Sequence, residues 1–560
     1  MLVGCDHIIS PHPFIPNQRG HQVIKPSIGT NRVLVIAAIF LATFTNVAFF
    51  QNLFAGLSDT PWVIGHFLSV ALVLLCLLVI FLSVLSSRPL IKPALVLVFM
   101  FSAIAAYFMD TFNVIIDADM IANVMATDIK EAGDLLTPRL FLYILLLGML
   151  PSALVLYVEI KAETITKALG ARLKLTGTAI LVVIVLVMSS SAFYISFLRE
   201  HKELRYYANL LAPVYAIYKS AQRTLAAGQK VFVKIGEDAE TPVSDVDREL
   251  IIMVVGETVR ADRFSLNGYG RRTNPMLENQ GVISFTHASS CGTSTAISVP
   301  CMFSRLTHDE FDSSIAKWTG NLLDVLDEAG VQILWRDNNS NSKGVSERVL
   351  TEDFRSADIN PICDTECRDE GMLTGLQGYI DQQSSGDVLI ILHQMGSHGP
   401  AYYKRYPPEF RKFKPTCDTN ELGACTDEEI NNAYDNTILY TDHFLSQVIE
   451  LLTANDHRFE TGMVYVGDHG ESLGESGMYL HGLPFMIAPE AQTRVPLIMW
   501  FGKNYHGVGV SSIKYLKDQP LTHDHVFHTM LGLFEISSEV YQPEMDIMLE
   551  ASKGTLMPEG

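Results

Sequence analysis

The sequence has no surplus of basic side chains. Its 41 Lys+Arg face 61 Asp+Glu, for a formal net charge of −20. That balance speaks against a nucleic-acid binder, whose surface is usually basic. No tandem repeat or low-complexity tract is present, which speaks against a solenoid or a disordered scaffold. A cleavable leader is also missing: the first apolar run starts beyond residue 30, is long enough to span a bilayer, and has no small-residue cleavage site after it. Ionisable residues are almost absent from the apolar runs, Asp110 near a helix end being the main exception. A transporter or channel normally buries several to mark its pathway.

A chain of 560 residues exceeds one compact core, so at least two domains are expected. Five apolar runs are long enough to cross a bilayer, each needing roughly 20 residues. They fall near 33–54, 62–85, 90–112, 140–160 and 175–198. Arg19, Lys25 and Arg32 precede the first; Arg88 and Lys92 lie between the second and third; Lys161, Lys167, Arg172 and Lys174 lie between the fourth and fifth. The other connections are acidic, with Asp59, then Asp117, Asp119, Asp128, Glu131 and Asp134. Basic residues stay on the cytoplasmic side, so the N-terminus is expected inside and the C-terminal domain outside. The reading divides the chain into a membrane domain over 1–198, an interfacial linker over 199–247 and a soluble domain over 248–560. In the linker, tyrosines alternate with bases at a spacing that suits the headgroup level, and Pro213 is expected to break it into two helices.

Cysteine usage agrees with an outer domain. Cys5 and Cys76 lie in the tail and a span. The other six sit at close spacings, Cys291 and Cys301, Cys363 and Cys367, Cys417 and Cys425, for which three local disulfides are the simplest pairing. Zinc ligation by Cys363 and Cys367 is disfavoured because no further thiolate or imidazole follows at finger spacing.

From Leu250 onward short apolar runs alternate with helical patterns. Strands are expected over 250–255, 331–335, 388–392, 463–466 and 495–500, with a helix over 321–329 ended by Gly330. Alternation of this kind implies a largely parallel sheet covered on both faces, with chemistry at the carboxyl ends of its strands. Polar motifs sit at those ends: Gly256-Glu257-Thr258, then His393 and Ser397-His398-Gly399, then Gly467-Asp468-His469-Gly470, with His481 following. Carboxylates with imidazole suit Zn²⁺, and an oxygen-rich set also admits Mn²⁺. Cys291-Gly292-Thr293-Ser294-Thr295 precedes a helix expected to start near Thr295, whose N-terminus favours a phosphoryl charge. A threonine hydroxyl there needs a metal or base to become a nucleophile, and by itself this pattern is a helix cap. Over Met120–Lys130, Asn123, Thr127 and Glu131 fall at i, i+4 and i+8 of a helical pattern, on one face at the outer membrane surface. Thr522-His523-Asp524-His525 is read as a helix start capped by Asp524 rather than as a further metal site.

The Glu257 strand end, the 290–301 loop, Gly396-Ser397-His398-Gly399-Pro400 and Gly467-Asp468-His469-Gly470-Glu471-Ser472 together resemble the lipid A phosphoethanolamine transferases, a family that includes the mobile colistin-resistance enzymes. The resemblance covers nearly the whole chain. It implies five spans joined to an α/β domain of the alkaline-phosphatase and sulfatase type, facing the periplasm from a bacterial inner membrane. By resemblance, Thr295 is the nucleophile that carries phosphoethanolamine, and Thr295, Glu257, Asp468 and His469 surround one zinc ion. His398 and His481 contact the phosphoryl group, assist the leaving group or hold a second zinc. Asn339, Ser340 and Lys343 match substrate-contacting positions, and Asn123, Thr127 and Glu131 match donor-headgroup positions. The donor is then phosphatidylethanolamine and the acceptor a lipid A phosphate, and the added ethanolammonium offsets the charge that attracts polymyxins. No nucleic acid takes part, and a monomer is expected. One departure is the lack of a cysteine pair around residues 341–346. Alternatives are phosphoethanolamine or phosphoglycerol transfer to another envelope glycan, a non-catalytic sensor, and a sulfatase-like hydrolase. The last requires Cys-x-Pro-x-Arg, where this chain has Phe303 in Cys301-Met302-Phe303-Ser304-Arg305.

Overall fold

The structure is a computed structural model. It describes the chain except residues 1–25, 59–61, 86–88, 128, 162–163, 227–230, 243–246, 508–509, 511 and 555–560. Several charged residues used for orientation (Arg19, Lys25, Asp59, Arg88, Asp128), together with Cys5, lie outside the described residues.

Among the described residues, four helices are long and apolar enough to cross a membrane: Val63–Val84, Ile91–Phe112, Pro138–Tyr157 and Ile165–Ser189. A fifth span forms if the bent pair Thr30–Phe44 and Val47–Leu57 is counted as one. The expected first span is therefore not continuous. It bends by 61° at Thr45-Asn46, and the polar groups freed there are satisfied inside the bundle. Asp110 Oδ1 accepts the N–H of Ala48 at 2.9 Å, at the start of the second half. Asn46 donates to the Leu41 carbonyl at 2.9 Å and accepts the N–H of Asn209 at 2.9 Å. The Asn209 amide bridges the carbonyls of Thr45 at 2.7 Å and Ser102 at 2.9 Å. Backbone groups left unpaired in hydrocarbon are costly, so a broken span needs such a knot. The last span starts earlier than the hydropathy suggested and ends at Ser189, with Ser191–Glu200 as a separate helix.

The linker continues as a 3₁₀ turn over Lys202–Tyr207 and a helix over Leu211–Ala226. The break falls at Leu210, which adopts φ +72°. Pro213 lies in the first turn of the second helix, where its missing N–H costs nothing, so it starts that helix rather than interrupting one. The expected helix over 120–130 is also two pieces, Ala118–Ala126 and Ile129–Asp134. Thr127 between them is extended, with ψ 134°, so no single face carries Asn123, Thr127 and Glu131.

The outer domain is built on one eight-stranded sheet. Its strands are β1 Glu249–Gly256, β2 Ile283–Ser289, β3 Gln332–Asp337, β4 Leu350–Asp353, β5 Val388–His393, β6 Glu460–Gly467, β7 Arg494–Phe501 and β8 Leu521–Thr522. The spatial order is β8-β2-β7-β6-β1-β5-β3-β4. All pairings are parallel except those of β7, which runs antiparallel to both neighbours. Ile251, Met253 and Val255 of β1 enter one apolar layer, while Leu250, Ile252 and Val254 enter the other. Both faces of the sheet are thus covered, as near-continuous apolar strands require. The helix expected over 321–329 is Leu322–Glu328, with a capping box between Asn321 and Asp324 and Gly330 at φ +93° beyond it.

Asn209→Ala strands two buried carbonyls in the membrane knot and is expected to destabilise the membrane domain by about 2–4 kcal/mol. In a Cys5→Ser background, the buried Cys76 thiol should become reactive at a lower temperature than in the parent. An unchanged labelling temperature would contradict the role given to the knot.

Candidate active site

The site grows out of strand register. β1 and β6 pair in parallel with Gly256 opposite Gly467, so the residues that follow, Glu257 and Asp468, emerge side by side. The Asp468 N–H continues the ladder to the Gly256 carbonyl at 2.8 Å. Gly396 brings the neighbouring loop in close: at φ +52°, its added Cβ would lie 2.7 Å from the Glu257 carbonyl oxygen. Only glycine fits there.

Asp468 Oδ1 accepts the N–H of Thr258 at 2.9 Å and that of His469 at 2.6 Å. Its Oδ2 is buried without a hydrogen-bond partner among the described residues. Thr258 is also buried, at φ +56°, a strained conformation for a β-branched residue. In that conformation its N–H serves Asp468 and its hydroxyl donates to Glu257 Oε1. The imidazole of His469 donates from Nδ1 to the Gly470 carbonyl at 2.9 Å. That leaves Nε2 facing inward, 3.5 Å from Glu257 Oε1 and 3.4 Å from Asp468 Oδ2.

Thr295 is the first residue of the helix Thr295–Met302. Its hydroxyl donates to Glu257 Oε2 at 2.9 Å and lies 3.3 Å from His469 Nε2. It does not cap the helix. Thr293, the other threonine of this loop, points away and donates to the Leu483 carbonyl at 2.6 Å. Three side chains, Glu257, Asp468 and His469, each offer a ligand atom within 4.8 Å of the others, and the Thr295 hydroxyl lies against two of them. Burial alone would raise both carboxyls. The imidazoles of His469, His398 and His481 outweigh it at Glu257 and hold that group well below the usual range. Burial and the Glu257 charge push Asp468 far up. Two carboxylates in a dry pocket cannot both ionise without a cation, and the unpartnered Asp468 Oδ2 faces where one would sit. Two carboxylates, an imidazole and a hydroxyl fit a tetrahedral divalent ion.

Around these groups the structure adds side chains whose roles the motifs did not reveal. Glu471 is buried, accepting from the Tyr402 hydroxyl at 2.6 Å and pairing with His481 Nδ1 at 2.8 Å. Burial raises it to about 8. It fixes the His481 ring 4.3 Å from the His469 ring and 5.7 Å from that of His398, centroid to centroid. The Asn339 amide donates to Glu257 Oε2 at 2.8 Å and to the Gln394 carbonyl at 2.8 Å, which commits it to holding that carboxylate in place. Ser340 donates to Asn339 Oδ1 at 3.0 Å and accepts from Lys343 Nζ at 2.5 Å. His393 is turned away from the ligands to Asp337, Nδ1 to Oδ2, at 3.0 Å.

The loop that carries Thr295 is pinned from several sides. Cys291 and Cys301 form a disulfide, as do Cys363 with Cys367 and Cys417 with Cys425. With Cys301 so engaged, the cysteine a sulfatase would modify is not available. Ser298 donates to the Asp468 carbonyl. The buried His523 accepts the Cys291 N–H at Nδ1, 3.2 Å, and pairs through Nε2 with the Gly467 carbonyl at 2.9 Å. Asp524 is not the cap of the following helix but its first residue, and its carboxylate accepts the His308 N–H at 2.8 Å. His523 therefore acts as a strut between strand and loop.

A cavity of about 290 Å³ joins this loop to the membrane side, lined by Ser294 and Ile297 on one wall and Asp119, Met120, Asn123 and Arg223 on the other. Thr127 is not among its lining residues and donates to the Asn123 carbonyl at 2.9 Å. The Glu131 side chain lies outside the described residues. Just beyond, Asp134 pairs with Lys404 Nζ at 2.5 Å and with Arg405 at 3.0 Å. Arg405 in turn donates from Nε to the His398 carbonyl at 2.7 Å.

Sheet and site together define an enzyme of the phospho- and sulfo-transfer class joined to membrane-type helices, with a threonine hydroxyl beside side chains that could hold a metal ion. The comparisons sharpen this. The Sulfatase family model matches residues 249–536, and the model described as phosphoethanolamine transferase EptA/EptB matches residues 74–225. Phosphatidylethanolamine transferase Mcr-1 of Escherichia coli is 42% identical over 530 residues, covering 92% of this chain and 96% of that protein. Phosphoethanolamine transferase EptA of E. coli K12 is 38% identical over 544 residues, covering 94% and 97%. The integral membrane lipooligosaccharide phosphoethanolamine transferase A of Neisseria meningitidis superposes with a TM-score of 0.89 at 34% identity, covering 94% of this chain and 99% of that one. The chain belongs to the phosphoethanolamine transferase family.

Burial lowers His523 to about 4, while an exposed imidazole titrates near 6.5. The unfolded chain therefore binds the extra proton first. Stability from this group is full above about pH 6.5 and falls as the pH drops toward 4, by up to roughly 3 kcal/mol. Melting of the protein from pH 7.5 to 4.5 should show a steeper loss than in His523→Asn, which starts less stable but lacks this titration. Parallel curves would remove His523 from the account.

Proposed function

We propose that this chain transfers phosphoethanolamine from phosphatidylethanolamine to a phosphate of lipid A through a covalent phosphoethanolamine ester on Thr295. The observation that carries the reading is the Thr295 hydroxyl, 2.9 Å from a Glu257 oxygen and 3.3 Å from His469 Nε2, in a chain whose relatives are named for this transfer. Residues 1–198 anchor the enzyme in the inner membrane with the N-terminus cytoplasmic, 199–247 form the interfacial linker, and 248–560 form the periplasmic catalytic domain. Glu257, Asp468, His469 and Thr295 hold a zinc ion. When bound, it lowers the pKa of the threonine hydroxyl and offsets phosphoryl charge.

In the first step the Thr295 hydroxyl gives its proton to Glu257 Oε2, which accepts it at 2.9 Å, Thr295 Oγ1 bonds to the donor phosphorus, and the bond from phosphorus to the diacylglycerol oxygen breaks. His481, oriented through Nδ1 by Glu471, keeps Nε2 to protonate that oxygen. His398 and Lys343 flank the phosphoryl oxygens, and the helix start at Thr295 faces their charge. In the second step an acceptor phosphate oxygen bonds to the phosphorus, the bond to Thr295 breaks, and the threonine oxygen takes back a proton. Asn123, lining the cavity on the membrane side, meets the donor headgroup. The added ammonium lowers the negative charge that draws polymyxins to lipid A.

Peptide mass spectrometry after incubation with phosphatidylethanolamine is expected to place the adduct on Thr295, and Thr295→Ala should abolish both adduct and transfer with melting unchanged. Glu257→Ala, Asp468→Ala and His469→Ala should each lose bound zinc and at least 100-fold in turnover. An adduct on another residue, labelling from phosphatidylglycerol instead, or full zinc in any of the three variants would refute the assignment.

A further inference from the structure

A second cavity, of about 230 Å³, lies on the other face of the nucleophile helix, lined there by Ala296 and Pro300, one turn apart. It shares Phe311, Asp312 and Ser313 with the membrane-side cavity, but the two differ in charge. The membrane-side cavity carries Asp117 and Asp119, and its Arg223 is already paired with Asp119 at 2.6 Å. The second cavity carries three cations, Arg305, Lys317 and Lys343. Lys343 ends a hydrogen-bonded line that runs through Ser340 and Asn339 to Glu257 and Thr295. Arg305 and Lys317 are exposed and have no hydrogen-bond or ion-pair partner among the described residues.

The two substrates of the transfer reading, on which this inference rests, differ in the same sense. The donor headgroup is a zwitterion whose phosphodiester carries a single charge balanced by its own ammonium. A phosphomonoester carries about −1.5 to −2 at neutral pH and three acceptor oxygens. Three cations gathered at one cavity favour the latter, and guanidinium in particular binds it through paired N–H bonds.

We propose that this second cavity is the acceptor subsite, in which Arg305 and Lys317 together with Lys343 hold a phosphomonoester carried on a saccharide. The acidic cavity on the other face then serves the ethanolammonium end of the donor. The nucleophile helix sorts the two substrates by charge, so that each reaches Thr295 from its own side.

The test uses the full-length protein in phospholipid nanodiscs, with lipid A bisphosphate as acceptor and fluorescent phosphatidylethanolamine as donor. Arg305→Glu with Lys317→Glu should raise the acceptor KM about tenfold or more, with little change in kcat. That is the loss expected from removing charge-assisted hydrogen bonds to one phosphate. Arg305→Lys, which keeps the charge but not the paired geometry, should fall between. The donor KM, and the yield of Thr295 adduct without acceptor, should match the parent. An acceptor KM within twofold of the parent overturns the inference. So does a rise in donor KM or a loss of adduct in parallel, which would assign the cavity to the donor or to folding. If the parent protein forms no adduct on Thr295, the transfer reading itself fails; if the adduct forms and only the acceptor KM stays fixed, this inference alone fails.

Discussion

Two fully buried carboxylates brought within 4.8 Å of each other set the terms for everything around them. The register of β1 on β6 leaves no choice about it, because Glu257 and Asp468 follow opposed glycines at the ends of adjacent parallel strands. Their repulsion is divided unequally, with Glu257 stabilised by three imidazoles and Asp468 pushed toward its neutral form. The surrounding bonds maintain this arrangement rather than relieve it. Thr258 holds both carboxylates from one strained residue, Asn339 fixes the second oxygen of Glu257, and Ser298 and His523 bind the backbone next to Asp468. The charge gathered here has nowhere else to go, so these side chains can hold a cation, and the Thr295 hydroxyl lies against them.

The membrane half solves a different problem with the same means. A helix broken inside a bilayer exposes N–H and C=O groups that lipid cannot satisfy. Asn46, Asp110 and Asn209 come from three segments far apart in the chain and complete one another's bonds. Asp110, which stands out in the sequence as a lone acid in an apolar run, is thus accounted for by the bond it accepts at the break.

Legibility from sequence followed burial. Strands buried on both faces appear as apolar runs, so β1, β3, β5, β6 and β7 are legible, as are the three cysteine pairs and the gathering of Glu257, Asp468 and His469 beyond the glycines that end β1 and β6. The 29-residue helix Asp427–Asn455 was not. Its buried face carries Asn436 and Asp442, which serve backbone N–H groups of the 412–413 and 276–277 loops, and polar residues in such positions erase the apolar period. β2 was missed because Thr286 and His287 interrupt its alternation toward the sheet edge. The role of Glu471 could not be read because its partners, Tyr402 and His481, meet it only after folding. The helix over 120–130 was drawn too long because nothing in its pattern marks the extended backbone at Thr127.

The contact from Asp134 to Lys404 and Arg405 has a mechanical meaning. Asp134 sits four residues before a span, and Arg405 holds the carbonyl of His398. The imidazole is thereby surveyed from the bilayer rather than from the sheet alone. A catalytic domain tied in this way to the segment that enters a span works like a gauge with a fixed stand-off, its His398 loop held at a set distance from the end of that helix. Choice among the phosphates of an envelope glycolipid then becomes partly a matter of altitude, and exchanging catalytic domains between relatives would transplant the chemistry while losing the calibration.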